Sequence, residues 1–298
     1  RIVPTWKSSK DCFLKGIKYE NHFVEEIKIP FEDSYLPGYF GRVDQTKIKR
    51  QLLIIQTGFD GTKEEVYMGV ARSAIERGYN VLVFEGPGQG EVIRLQGIPF
   101  RYNWETVLTP VVDYAAKLKE VDLKKIAVMG ISFGGYLVPR AVAFEKRVAA
   151  MIANGGIYDF HTSAKLPPQL DSNLDNDDVA REIDQYLYAQ MKTNPSTRWV
   201  MSNALFTFKL EKPSDWLRAT RKYTMKDIAN KISCTTLIVD SEEDKDLPGQ
   251  SKQLYDALTC KKEYLLFKAY EGAGEHCQIG ASIISNNRIL DWLDEVLK

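Results

Sequence analysis

Three stretches of this sequence hold residue types that together could run acyl-transfer chemistry. They are MGISFGG around Ser132, DSEEDKD from Asp240 to Asp246, and EGAGEHC, which contains His276. A serine hydroxyl is a poor nucleophile unless a base takes its proton as it attacks, and histidine is the usual base near neutral pH. Only three histidines exist, His22, His161 and His276. Chain order of the triad differs between folds, and in the one that uses a G-x-S-x-G turn between strand and helix the acid and then the histidine follow the serine. His22 precedes the serine and His161 falls where the strand pattern breaks off, so His276 is the expected base. The acid must accept the imidazole's other N–H, fix its tautomer and stabilise the cation formed during attack. Asp240, Glu242, Glu243, Asp244 and Asp246 all follow the apolar run TTLIV. Asp244 has four residues of loop in which to turn toward His276, which favours it over Asp246 and Asp240. The remaining acids read as solvated loop charges.

The G-x-S-x-G pattern alone carries little weight, since it arises by chance in about one chain in ten of this size. Its setting adds more. Ser132 stands between the apolar run Lys125–Met129 and a helical period from Gly134 to Phe144. Glycines at 130 and 134 lack the Cβ atoms that would clash in so sharp a turn. The competing role for Ser132 is that of a helix N-cap. A tetrahedral oxyanion needs preorganised donors. The N–H of Phe133 follows the nucleophile, and QTGFDGTKEE offers the N–H of Phe59 after a backbone reversal at Gly58. The same stretch also reads as a strand-to-helix turn with Thr62 and Glu65 as a capping box, and both readings can hold. EGPGQGE (Glu85–Glu91) spaces its glycines by two, so it is no G-x-G-x-x-G dinucleotide fingerprint but a tight loop near the same sheet edge.

The elements that must position these residues follow from hydrophobic periodicity. Val24–Phe31 and Leu36–Val43 form a predicted antiparallel hairpin. From Gln51 onward short aliphatic strands alternate with helices at Lys63–Gly78, Trp104–Lys119 and Gly134–Phe144. Strands so uniformly apolar suit a parallel sheet covered on both faces. Residues 157–230 interrupt the alternation with polar, helical sequence carrying Trp199, Phe206, Phe208 and Trp216. That pattern predicts a helical cap laid over the carboxyl ends of the strands, where open α/β sheets place their ligands. Residues 1–156 and 231–298 then form the core. A surface bundle with no role at the site is the plainer alternative, and packing is the commoner role of the four aromatics.

Forty basic and 40 acidic residues cancel in a chain of 298, which removes any long-range attraction for nucleic acid. No apolar run approaches the roughly 18 residues that would cross a bilayer, and the N-terminal stretch lacks the apolar core of a signal peptide, so a cytoplasmic location without membrane attachment is expected. The four cysteines are widely spaced without a C-x-x-C pair, which argues for free thiols and against a zinc site. The expected partner is a small-molecule substrate, and the sequence is compatible with a homo-oligomer. No metal or other cofactor is required, because nucleophile, base and donors all come from the chain.

Taken together, GFDGTKEE, FEGPGQGE, GISFGG, DSEEDKD and EGAGEHC resemble the α/β-hydrolase superfamily. Within it, they resemble the group of FrsA-like esterases, 2,6-dihydroxypseudooxynicotine hydrolase and acylaminoacyl-peptidase-like proteins. The likeness runs from about Val24 to the C-terminus, outside the helical insertion. It implies an α/β-hydrolase fold, with a mostly parallel sheet, helices on both faces and a helical cap inserted after the sixth core strand. It also implies Ser132 as nucleophile, Asp244 as acid, His276 as base, and Phe59 and Phe133 as oxyanion donors. Members of the group often carry a further helical segment before the hairpin, which here would have to lie before Arg1, so that the chain is either a shorter member or lacks part of its length. The implied activity is hydrolysis of an ester or small acylated amide through an acyl-enzyme. The alternatives are cleavage of a carbon–carbon bond beside a ketone by the same triad, as such relatives perform, and a non-catalytic binding protein on the same scaffold.

Overall fold

The computed structural model describes residues 2–20, 22–164 and 166–298. Helix α1 (Ile2–Gly16) and a 3-10 turn (Ile17–Tyr19) lead into the hairpin β1 (Phe23–Phe31) and β2 (Ser34–Arg42). A helix therefore precedes the hairpin inside this chain. Its signal is faint in the sequence because Trp6 is the one buried residue of α1 among many polar ones. Strands β3 (Arg50–Gln56), β4 (Asn80–Phe84), β5 (Val121–Ile131), β6 (Ala150–Asn154), β7 (Thr235–Ser241) and β8 (Lys262–Phe267) complete one eight-stranded sheet. Its order is β1-β2-β4-β3-β5-β6-β7-β8. The pairs β1/β2 and β2/β4 are antiparallel and every other pair is parallel.

Alternate side chains of each strand serve two cores, as the two-residue repeat of a strand requires. Leu52, Ile54 and Val128 face one side, while Leu53, Ile55 and Met129 face the other. On the first side lie α4 (Glu105–Ala115), α5 (Gly134–Val142) and α10 (Gln250–Ala257). On the second lie α11 (Ser282–Val296) and a helix that runs as α2 (Lys63–Val66), a π-turn (Tyr67–Ala71) and α3 (Arg72–Glu76).

Between β6 and β7 the chain forms α6 (Pro168–Ser172), α7 (Asp177–Thr193), α8 (Pro195–Phe208) and α9 (Pro213–Thr220). A narrow neck closes this excursion. Asp159 and Thr224 form an antiparallel bridge, the Phe160 N–H donates to Tyr223 O at 3.0 Å, and the Met225 N–H donates to Tyr158 O at 2.7 Å. His161 sits just past the neck, 2.7 Å from Thr220 Oγ1 and 2.8 Å from Asp171 Oδ1.

A charged cluster ties α2 to the EGPGQGE loop. Lys63 is wholly buried, with its ammonium 2.9 Å from Glu64 and 3.2 Å from Glu85. The Glu85 carboxylate also accepts the Lys63 N–H at 3.0 Å and the Glu91 N–H at 2.8 Å. Lys10 of α1 reaches Glu91 at 3.0 Å, so the first helix is tethered to the same loop. Removing one partner of a buried ion pair strands the other charge, at a cost of about 3–5 kcal/mol. Lys63→Met should lower unfolding stability by about that amount, measured as a reduced denaturant midpoint.

Candidate active site

Five strand ends, those of β3, β5, β6, β7 and β8, converge on the site. Strand β5 ends at Ile131, and Ser132 takes the left-handed conformation at φ 59° before α5 begins at Gly134. An L-residue other than glycine is strained there by about 1–3 kcal/mol, so surrounding contacts must hold it. The Ser132 N–H donates to Asn154 O at the end of β6 (2.9 Å), and Ser132 O accepts the Gly135 N–H (2.7 Å). There is no room for a side chain at Gly130, where a Cβ would lie 2.1 Å from Gly134 O. Gly58, just past β3, runs so close to the elbow that its Cβ would fall 2.6 Å from the Phe133 nitrogen.

His276 follows β8 in a short 3-10 turn and reaches back over the sheet edge. Its Nε2 is 2.9 Å from Ser132 Oγ and its Nδ1 is 2.7 Å from Asp244 Oδ2. The other oxygen of Asp244 accepts the N–H groups of Asp246 and Leu247 at 2.9 and 3.0 Å, so the loop's own backbone orients the carboxylate. The remaining acids of DSEEDKD are engaged elsewhere or face solvent. Asp240 accepts from Tyr264 and from the Ser241 N–H, Glu242 pairs with Lys268, and Glu243 and Asp246 are exposed. His22 lies far off beside Glu20 and Tyr67, and His161 stays at the neck.

Burial works against the charged form of His276, but the hydrogen bond it donates to Asp244, the Cys277 sulfur 3.5 Å away and the Asp244 charge outweigh it and raise the imidazole's pKa. Asp244 is itself buried, which favours its neutral acid, yet the pull of His276 and of its two backbone donors lowers its pKa. The pair is thus arranged to stabilise an imidazolium beside a carboxylate. Among the described residues, Asp244, Asp246 and His276 form the one acid–histidine group whose atoms could share an ion. Asp244 and His276 already spend those atoms on each other and on Ser132.

Neither the Phe59 N–H nor the Phe133 N–H has an acceptor among the described residues. Both are at the elbow, and their side chains enter an aromatic cluster shared with the helices between β6 and β7. Phe59 lies 6.2 Å from Trp199 and 6.5 Å from Phe208 between ring centroids, and Phe133 lies 4.3 Å from Phe160. Sequence reasoning missed two buried side-chain amides that brace the histidine loop. Asn154 and Gln278 bond each other reciprocally at 3.0 Å, and Gln278 donates to Ser241 Oγ at 3.0 Å. These bonds hold Cys277 and Gln278 at φ 51° and 56°, a turn that aims His276 inward. An amide at a strand's carboxyl end and another two residues past a histidine were the available signals.

A model of the prolyl oligopeptidase family (Peptidase_S9) matches residues 71–298. The chain belongs to the prolyl oligopeptidase family. It is 30% identical to hydrolase acrC of Aspergillus aculeatus, over 99% of this chain and 75% of that protein. Identity to 20-hydroxy-prefusarin hydrolase FUS2 of Gibberella moniliformis is also 30%, over 99% and 74%. Among solved structures, 2,6-dihydroxy-pseudo-oxynicotine hydrolase superposes with a TM-score of 0.77 at 20% identity, over 98% of this chain and 73% of that one. Pyrococcus horikoshii acylaminoacyl peptidase superposes with a TM-score of 0.63 at 15% identity, over 96% and 43%. This member of the prolyl oligopeptidase family has the α/β-hydrolase fold and is a serine hydrolase. No helix among its described residues is long and apolar enough to cross a membrane.

The charge arrangement makes a measurable forecast. In an NMR titration His276 should change protonation at a midpoint above the ordinary 6.5, and Asp244→Asn should bring that midpoint down.

Proposed function

We propose that Ser132, His276 and Asp244 are the catalytic triad of this hydrolase and that the Phe59 and Phe133 N–H groups form its oxyanion hole. The reading rests on one observation: an unbroken hydrogen-bonded chain, Asp244 to His276 to Ser132, ends beside two amide N–H groups that have no acceptor among the described residues. In the reaction so read, His276 Nε2 takes the hydroxyl proton while Ser132 Oγ bonds to the substrate carbonyl carbon. The carbonyl oxygen, now negative, accepts from Phe59 and Phe133, and Asp244 stabilises the imidazolium. His276 returns the proton to the departing alcohol or amine, leaving an acyl-enzyme. Water then attacks that ester by the same steps in reverse order, releasing the acid and Ser132.

The substrate class that fits is a small ester or acylated amide. Residues 157–230 act as its cap, since α8 lays Trp199 and Phe208 against Phe59. A small-molecule substrate also accords with a relative named for hydrolysing 20-hydroxy-prefusarin. The same machinery could cleave a carbon–carbon bond beside a ketone, because the tetrahedral intermediate needs the same donors and only the leaving group differs.

A fluorophosphonate should label Ser132 of the folded protein, and failure to do so would sink the proposal. Ser132→Ala and His276→Ala should each lower kcat by roughly 10⁶ if the three residues act as a unit. Aryl esters tested beside a panel of β-diketones separate the two bond types. A base must be neutral to accept a proton, and His276 is held above its ordinary pKa. Activity should therefore rise with pH through a midpoint above 6.5, and a pH–rate profile peaking in acid would contradict it.

A further inference from the structure

Where β3 ends, the sheet stops supplying partners to the backbone, and residues 57–59 must find others. Three consecutive carbonyl oxygens there are held by side-chain amides. Gln89 Nε2 donates to Thr57 O at 2.8 Å and to Gly58 O at 3.0 Å, and Asn203 Nδ2 donates to Phe59 O at 3.0 Å. The Gly58 carbonyl and the Phe59 N–H belong to one planar trans peptide, so they point in opposite directions. Fixing that oxygen on Gln89 fixes the direction of the Phe59 N–H. Fixing the Phe59 oxygen on Asn203 locks the next peptide plane, and residue 59 is left with no free rotation.

Gln89 has no freedom of its own. Its Oε1 accepts the Gly86 N–H at 2.9 Å and Gln56 Nε2 at 3.2 Å, so both N–H groups and both lone pairs of the amide are used. Gln56 Oε1 in turn accepts the Trp104 indole N–H at 2.7 Å. Gln89 is 2% exposed, and Gln56 and Trp104 are fully buried. Asn203 is different, because it rides on α8, outside the core sheet.

We propose that Gln89 and Asn203 are positioning residues for the oxyanion hole, the first clamping the peptide that carries the Phe59 N–H from the core and the second clamping the peptide that follows it from the capping helix. This rests on the reading of Phe59 and Phe133 as oxyanion donors. The Gln89 clamp is permanent, whereas the Asn203 clamp exists while α8 is seated on the loop. Both peptides flanking residue 59 are therefore held only with α8 seated on the loop, and Gln89 alone holds one of them.

Deleting an oxyanion donor outright costs about 10²–10³ in rate. Loosening one through its clamp should cost about 10–10². The test is the rate at which a fluorophosphonate labels Ser132 in the unaltered enzyme, in Asn203→Leu and in Gln89→Met. The maximal labelling rate should fall about 10- to 100-fold in each variant while the probe's half-saturating concentration and the His276 NMR midpoint stay put. A merely structural role would move the thermal midpoint without that selective loss of rate. If Gln89→Met does not fold, Asn203→Leu on the half-buried helix face decides. Labelling of folded Asn203→Leu within about threefold of the unaltered enzyme would overturn the inference alone. An unaltered enzyme that resists labelling would overturn the reading of the site as well.

Discussion

A serine held at φ 59° between a strand and a helix imposes conditions on everything around it. The turn is completed in a single residue, so β5, α5 and the end of β3 must approach one another with almost no side chains between them. A Cβ at Gly130, Gly134 or Gly135 would meet backbone atoms at 2.1 to 2.9 Å. The strain persists because the sheet fixes both flanks: β5 is paired on one side with β3 and on the other with β6. The hydroxyl is thereby raised above the sheet edge at the one height His276 can reach.

Neutral amides complete what the sheet begins. Asn154, Gln278, Gln89 and Asn203 each bond groups that emerge from strand ends, where regular pairing has run out. A carboxylate or ammonium in such places would add a charge to a site whose electrostatics must be left to Asp244 and His276. An uncharged side chain that both donates and accepts can satisfy several backbone groups without disturbing that balance. The charged cluster of Lys63 and Glu85 is kept farther back, beneath the loop that carries Gln89.

That Ser132, His276 and Asp244 meet was legible because chemistry limits the residue types and chain order limits their positions. Three histidines and one serine elbow left a single ordering, and the loop length after β7 singled out Asp244 among five acids. The sheet was legible because its strands are apolar on both faces, and the hairpin because its turn residues are polar. The π-turn at Tyr67–Ala71 was not, since one extra residue per turn leaves the helical period nearly unchanged. Helix α1 escaped notice because few of its residues are buried. The amides escaped because Asn and Gln carry no pattern of their own: Gln89 lies 33 residues from the Gln56 it bonds, and Asn203 lies 144 from Phe59.

The neck at Asp159 and Thr224 bears on how this enzyme could change. Its backbone bonds close the excursion between β6 and β7 before any of the helices beyond it is reached. Once a loop's ends are joined, doubling its length adds only about 0.6 kcal/mol of closure entropy. Added length beyond the neck therefore carries little closure cost, although helices there still pack on the sheet's core through Phe208 and Trp216, and Ser132, His276 and Asp244 lie on the sheet's side of that junction. From α8, the Asn203 amide and the rings of Trp199 and Phe208 reach across it to Phe59. A change in the helical excursion would thus be felt at the Ser132 elbow through Phe59, while Asp244 and His276 are held by loops of the sheet itself.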